Sequence, residues 1–417
     1  MNFTSLIPNN YVEREIEKDI SAFIEDREVL VIRGPRQSGK STLLRKIGSV
    51  LQNKHGENNV FYFDFEDELE QIKFESKPKE YINLFVQSNK KVYLLIDEIQ
   101  YIRNSGRILK LLYEQYPNIK FIVSGSSSLD INKIGEKLVG RSIFFDLFPF
   151  SFPEFLKAKD LILYKEFISK RSNLEHPKIT ESLQIDKINA RLKEYLVYGG
   201  YPRIVLETNV EKKKMLLKNL FTTYIEKDVI KLYGIKYKEK AINLLKYLSA
   251  TTGSLINYND ICNSFSLHFQ ELNVLLSIFE ETFIIRKIRP FHKNLITELK
   301  KNPKIYFYDL GMRNVLMDRF EFIQEEWGKL YENYVFLLLK NKNVAYWRTN
   351  AKAEVDFILK DSVLPVEVKI TPKITRSLLS FISSYHSHIA IIANFEKSGV
   401  MKRNDTKIYC IPLGLLY

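Results

Sequence analysis

The chain has 417 residues, 45% apolar and 27% charged, which is room for roughly two to four domains with real cores and excludes a wholly disordered chain. Its net charge of +13 suits a nucleic-acid partner, although a Lys-rich surface gives the same balance. Cys262 and Cys410 are the only cysteines and the six histidines lack metal-ligand spacing, which excludes a disulfide framework and a zinc site and fits a reducing cytoplasm.

The opening stretch MNFTSLIPNNYVEREIEKDI has no basic segment followed by an apolar core, so no signal peptide is expected. The longest apolar runs, such as Ile389 to Phe395, are too short to span a bilayer, and no membrane partner is expected. Between residues 29 and 150 short apolar runs (EVLVIRG, NNVFYFDF, KKVYLLIDE, IKFIVSGS, SIFFDLF) alternate with helical stretches, the pattern of a doubly wound parallel sheet. Residues 151–230 read as mostly helical, with a polar loop from Asn173 to Ile185 and a turn at Gly199-Gly200-Tyr201-Pro202. Residues 231–316 carry helical spacing in KEKAINLLKYLSA and QELNVLLSIFEE, then two strands in TFIIRKI and PKIYFYD, which describes a winged helix-turn-helix. From 317 to 417 the order is one long helix, the strands NVAYWR, AEVDFILK and LPVEVKI, a helix, and the strand HIAIIAN.

Gly34-Pro35-Arg36-Gln37-Ser38-Gly39-Lys40-Ser41 fits GxxxxGK[ST] between the run Val29–Ile32 and the helical STLLRKIGSVL, with Thr42 continuing the first turn. Its glycines let backbone N–H groups converge on a phosphate, and the helix offers that anion its positive end. In such a loop Lys40 reaches the β- and γ-phosphates of ATP and the Ser41 hydroxyl ligates Mg²⁺. Asp97, 57 residues after Lys40 at the end of VYLLIDE, is expected on the metal side, and Glu98 is expected to orient or deprotonate the attacking water. Ser124 and Ser126, in the SGSSS turn after the next strand, read either as sensors of the γ-phosphate or as a plain turn. Arg141 reads either as an arginine finger or as a surface ion pair; a finger acting in trans requires a homo-oligomer.

These blocks resemble the prokaryotic AAA-type P-loop ATPases with a C-terminal domain of unknown function. The resemblance rests on GPRQSGKSTLL, LLIDEIQ, the SGSSS turn and GRSIFFDLFPFSFPEF, then YLVYGGYP, YIEKDV, KIYFYDLGMRNVL, WGKLYENYVF, AEVDFIL and PVEVK, in that order along nearly the whole chain. Only the stretch from Phe155 to Tyr195 adds nothing to it. The architecture it implies is an ATPase core at 1–150, a helical lid at 151–230, a winged helix at 231–316 and a restriction-endonuclease-like PD-(D/E)xK domain at 317–417.

The last segment supplies residues for that expectation. Asp356 lies in the strand-like Glu354-Val355-Asp356-Phe357, with ten residues between it and Glu367, and Glu367 and Lys369 share one face of a strand. Asp356 and Glu367 would hold a divalent metal, Lys369 would position water or offset phosphate charge, and Glu332 on the preceding helix is the extra acid beside the metal. A half-buried edge strand has the same V-E-V-K alternation, and such folds also serve as inert binding domains. In the winged segment only His268, Gln270 and Asn273 offer base-reading groups on the helix from His268 to Phe279, and ten Lys/Arg face six Asp/Glu between Lys231 and Lys300. Backbone-dominated DNA contact and a packing module that transmits nucleotide state both fit. The leading expectation is an ATP- and Mg²⁺-dependent, DNA-binding ATPase coupled to a nuclease-like domain; the alternative is a switch ATPase whose C-terminal domains bind protein or nucleic acid without cutting.

Overall fold

The computed structural model describes residues 3–86, 90–126, 129–231, 234, 237–292, 298, 301–395, 397–403 and 405–417. The chain divides into two compact units, Met1–Phe150 with Thr223–Gly234 and Glu281–Phe283, and Ser151–Thr222 with Ile235–Glu280 and Ile284–Tyr417.

The first unit is built on five parallel strands: β1 Val29–Gly34, β2 Val60–Asp64, β3 Val92–Asp97, β4 Ile119–Ser126 and β5 Ser142–Asp146. Their order is β2-β3-β4-β1-β5. β1, β3 and β4 are apolar runs because both their faces are covered: Val29, Val31, Leu94, Ile96, Phe121 and Val123 join one core, and Leu30, Ile32, Tyr93, Leu95 and Ile122 the other. β1 lies between β4 and β5, so the chain leaves its carboxyl end toward β2 on one side while the β4–β5 connection crosses to the other. That is a topological switch point, where α/β sheets bind their ligands.

In the second unit helices Phe152–Lys159, Leu161–Lys170, Ile185–Tyr198, Pro202–Leu206 and Val210–Tyr224 follow one another, with no helix between 171 and 184. Three helices, Lys238–Ala250, Tyr258–Phe265 and Phe269–Glu281, then lead into an antiparallel pair, β6 Ile285–Ile288 and β7 Lys304–Phe307. The helix Tyr258–Phe265 was not anticipated. Its sequence YNDICNSF is rich in residues that compete with the helical backbone, and it forms with Asn257 capping the Asp260 N–H.

The long helix expected from residue 317 begins only at Trp327 and runs to Leu339, and a separate short helix, Leu310–Leu316, precedes that stretch. Six strands complete the unit: β8 Val344–Arg348, β9 Glu354–Leu359, β10 Leu364–Val368, β11 Ile389–Asn394, β12 Gly399–Arg403 and β13 Thr406–Pro412, with helix Arg376–Tyr385 before β11. Their order is β12-β13-β11-β10-β9-β8, parallel only between β10 and β11 and between β11 and β13. β12 and β13 extend the sheet beyond the last strand read from the sequence.

The blocks YLVYGGYP and YDLGMRN meet in this unit as structure. The Gly200 N–H donates to Asp309 at 2.7 Å, and Asn314 donates to the carbonyls of Leu196 and Val197 at 2.9 Å each. Gly199 has φ +74°, and a Cβ there would lie 2.3 Å from the Asp309 carboxylate. No helix among the described residues is long and apolar enough to cross a membrane.

Candidate functional site

The carboxyl ends of β1, β3 and β4 converge. Register pairs Ile32, Arg33 and Gly34 with Ser124, Gly125 and Ser126, and Ile96 with Val123, so the loop after β1 lies beside Asp97, Glu98, Ser124 and Ser126. Gly34 is required by close approach: a Cβ would sit 2.1 Å from the Leu147 carbonyl oxygen. Gly39, at φ +99°, turns the chain into the 16-residue helix Lys40–His55, whose first turn has no side-chain cap and no acidic residue. A helix end without a carboxylate in its first turn presents its positive pole to an anion.

Within the loop the Lys40 ammonium donates to the Gly34 and Pro35 carbonyls at 3.0 Å each. Ser38 is fully buried, and its hydroxyl is without a hydrogen-bond partner. Arg36 reaches the Tyr101 hydroxyl at 3.1 Å, while Gln37, at φ +59°, is exposed. Ser41 and Thr42 stand in the first helical turn, both partly buried.

Asp97 is buried and accepts hydrogen bonds from Ser124 Oγ, from Tyr62 OH at 2.9 Å and from the Glu98 N–H at 3.1 Å. Glu98 has φ +54° and accepts from Gln100 Nε2, which also donates to Ser126 Oγ at 3.1 Å. Gly125 makes room for that amide, since a Cβ would lie 2.2 Å from Gln100 Oε1. Burial pushes the Glu98 carboxyl above the usual range; Lys40 opposes the rise and Asp97 adds to it. A carboxyl so raised is a stronger base than a solvated one.

Three residues at this site were missed by sequence reasoning: Tyr62, Gln100 and Arg14. The Arg14 guanidinium is buried, donating to the Ser38 carbonyl at 2.9 Å and the Phe148 carbonyl at 2.6 Å, and so ties the loop to the segment after β5. Gln100, two residues beyond Glu98, was within reach of inspection; Tyr62 and Arg14 carry no local signal. Ser127 and Ser128 of the SGSSS turn lie outside the described residues.

Arg141 is not brought to the loop of its own chain. It precedes β5 at the amino ends of the strands, where its carbonyl accepts from the Val29 N–H at 2.9 Å. Its guanidinium pairs with Glu114 at 2.8 Å, both groups well exposed.

In the second unit β9 and β10 bring Asp356, Glu367 and Lys369 together. Asp356 accepts from the Val368 N–H at 2.8 Å, and the Lys369 ammonium lies 3.1 Å from Glu367 and 3.8 Å from Asp356. Thr375 Oγ1 donates to Glu367 at 2.8 Å. Glu332 is paired with Lys304, which is buried on β7 and contacts Glu332 at 3.0 Å and Glu354 at 2.7 Å; Tyr306 OH donates to Glu332 at 2.6 Å. Burial lifts the Glu332 carboxyl above the usual range, with Lys304 opposing and Asp356 adding. Burial works against the Lys304 ammonium, yet Glu332, Asp356 and Glu354 outweigh it and hold its pKa above the ordinary range. Among the described residues no group of three or more His, Cys, Asp and Glu side chains is placed to hold a metal ion, so the expected ligand set Glu332, Asp356 and Glu367 is not assembled here. Two lysines, Lys304 and Lys369, are seated among those acids.

With both sites described, comparison with known proteins adds the following. Residues 26–156 match the model of an AAA domain, 189–322 a domain of unknown function (DUF8612) and 327–416 another (DUF4143). An uncharacterized protein of Methanocaldococcus jannaschii is 25% identical over 91% of this chain and 84% of its own length. One from Haemophilus influenzae is 27% identical over 86% and 85%. Among solved structures, C. elegans PCH-2 aligns at a TM-score of 0.35 and 14% identity over 54% of this chain and 66% of its own. The chain carries an AAA-type P-loop domain followed by two domains of unknown function.

Proposed function

We propose that the chain is a Mg²⁺-dependent ATPase that acts on DNA. The observation that carries the ATPase reading is the placement of Asp97 and Glu98 at the end of β3, beside a loop whose glycines, helix end without a side-chain cap and unpartnered Ser38 hydroxyl fit a polyphosphate. In this reading the backbone from Gly34 to Gly39 cradles the phosphates and Lys40 leaves its two loop carbonyls for the β- and γ-oxygens. Ser41 and Asp97 would hold Mg²⁺, whose charge offsets that of the phosphates. Tyr62 and Ser124 orient Asp97, and Gln100 orients Glu98 toward water. Lys40→Ala tests it: phosphate release from ATP falls at least about 10²-fold, the scale of losing one fixed transition-state donor. Unchanged turnover would refute the assignment.

The second unit we read as a helical lid, a winged helix over residues 238–307 and a PD-(D/E)xK-like sheet that together hold DNA. Two readings of its acids are distinguished by one experiment. The adjacency of Asp356, Glu367 and Lys369 favours metal-dependent cleavage. Lys304, buried between Glu332 and Glu354, favours binding without cutting, and this is the reading we adopt, because a divalent ion taken by Glu332 would have to displace it. Labelled linear, forked and four-way DNA incubated with Mg²⁺ or Mn²⁺, with and without ATP, decides. Cutting that disappears in Asp356→Ala would restore the nuclease reading.

A further inference from the structure

We propose that the second unit grips an unpaired strand of DNA across two adjoining cavities, with phosphates in a basic trough on β6 and a base stacked on Phe269. The proposal rests on the DNA reading above and narrows it to single strands.

The trough has a volume of ≈ 390 Å³ and is lined by Arg286, Lys287, Arg289, Lys340, Lys342 and Lys360, against the carboxylates of Glu280 and Glu298. Each carboxylate is matched by one lysine, Glu280 by Lys287 at 2.9 Å and Glu298 by Lys360 at 2.6 Å. Lys342 pairs with Glu175 at 2.9 Å, where both groups are half exposed and screened. Six cations thus face two carboxylates on a concave wall, where field lines concentrate and anions collect. Arg286 is exposed on β6, and a strand presents such outward groups at regular spacing.

Arg289 also lines a second cavity, ≈ 450 Å³, shared with Asn257, Tyr258, Asn259, Phe269, Asn273 and Lys301. The Phe269 side chain is 58% exposed in the first turn of its helix, and its ring centroid lies 5.5 Å from that of Tyr258. A single exposed phenylalanine is ordinary. Two rings beside three amides and an arginine form a platform on which a base can stack while its edge meets hydrogen-bonding groups. Asn273 Nδ2 is bound to the Phe269 carbonyl at 3.0 Å, which turns the amide beside the ring. The rims of both cavities are fixed by one residue: the Tyr346 N–H donates to the Arg289 carbonyl at 3.1 Å, and Tyr346 OH to the Asn302 carbonyl at 2.5 Å. Such backbone anchoring fixes the backbone of Arg289 at the junction of the two cavities.

The arrangement selects single strands because a duplex keeps its base faces inside the stack. Only an unpaired base can lay a face on Phe269 while its phosphate passes Arg289 into the trough.

The test is fluorescence anisotropy of the full-length protein with a labelled thymidine oligomer of about 20 nucleotides, long enough for several site sizes. A duplex of equal length and a uridine RNA oligomer are run beside it. The expected result is preference for the DNA oligomer, a loss of roughly 5- to 150-fold in Phe269→Ala, and recovery in Phe269→Trp. Replacing Arg286 and Lys340 together by alanine should flatten the slope of log K against log salt by roughly 1.4, at 0.7 per phosphate on a single strand. Thermal melting of each variant separates lost contacts from lost folding, and Arg289→Gln gives a second variant at the junction. Unchanged oligomer affinity in both Phe269→Ala and Arg289→Gln overturns the proposal, as does tighter binding of the RNA. Duplex binding without single-strand preference overturns it while leaving the DNA reading intact; no binding to any DNA overturns both.

Discussion

Asp97 and Glu98 accept their hydrogen bonds from Tyr62, Ser124, Gln100 and a backbone N–H, all neutral, whereas Glu332, Glu354, Asp356 and Glu367 share the ammonium groups of Lys304 and Lys369. Both clusters are acidic and buried or nearly so. They differ in what balances the charge. Lys40 and Arg36 act on Glu98 only through space, and carboxylates hydrogen-bonded only to neutral donors still favour a cation, because hydrogen bonds offset desolvation without cancelling charge. A carboxylate already paired with an internal lysine gains little from a metal and loses the pair to admit one. Residue type alone thus makes the clusters look alike; the counter-charge separates a site prepared for Mg²⁺ from one that closes on itself.

The comparison breaks first at Glu98. Glu98→Gln keeps the shape and the Gln100 contact but removes the base, so nucleotide binding should persist while turnover falls roughly 10²- to 10⁴-fold, measured as phosphate release against nucleotide titration. Equal turnover would make Asp97 the sole working acid. In the second unit Lys304→Met removes a buried partner from two glutamates and should cost about 3–5 kcal/mol in urea unfolding. If Mn²⁺ then restores the loss, the acids can exchange lysine for metal and the distinction is one of occupancy rather than design.

How far the two sites were legible follows from the same physics. β1, the phosphate loop and the acids of β3 are contiguous in sequence, so fixed spacing and buried apolar runs reveal them, and Ser124 follows from the next strand's tip. Tyr62 stands 35 positions from the carboxylate it serves, on a strand whose alternation looks like any half-buried strand. Lys304 is more deceptive. In PKIYFYD it reads as an exposed lysine at the start of a hairpin strand, yet it is buried, and only the fold brings it to Glu332, 28 residues on. The sequence therefore displays the acids of both clusters and conceals the groups that decide what those acids do.

Asp309 sharpens the point with a carboxylate that has neither lysine nor metal. Buried and bonded only to N–H groups, its pKa is raised to about 6. The folded state thus holds this proton more tightly than the unfolded chain, whose aspartates titrate near 3.9. The group's contribution to stability is greatest in acid and falls as pH rises from about 4 through 6, by up to roughly 1.4 kcal/mol per unit. Melting temperatures of wild type and Asp309→Asn across that window should diverge in slope, with the variant lacking the decline. Parallel slopes would mean that the N–H groups of Gly200 and Met312 already stabilise the anion as well as water does.

The smallest effect is expected at Arg141, where the comparison makes a claim about the first unit itself. Its charge is matched within the chain by Glu114, as the charges of the carboxylates on β9 and β10 are matched by lysine, and both groups are exposed. A pair of that kind is worth about 0–1 kcal/mol, so Arg141→Ala should shift the unfolding midpoint only marginally. The strand direction carries the same expectation for activity. Arg141 precedes β5, the phosphate loop follows β1, and the two strands run parallel side by side, so the arginine and the loop stand at opposite ends of a five-residue register. At about 3.3 Å per residue that is on the order of 15 Å, beyond the reach of a guanidinium to a phosphate on the same chain. Turnover per protomer at low protein concentration should therefore match wild type. A collapse of turnover at unchanged nucleotide affinity, growing with protein concentration in the wild type alone, would show instead that the Glu114 pair opens and that Arg141 serves the nucleotide of a neighbouring copy, as a finger supplied in trans does. An internally matched charge would then be a resting state rather than a structural end, and the lysines of the second unit would have to be read in the same way.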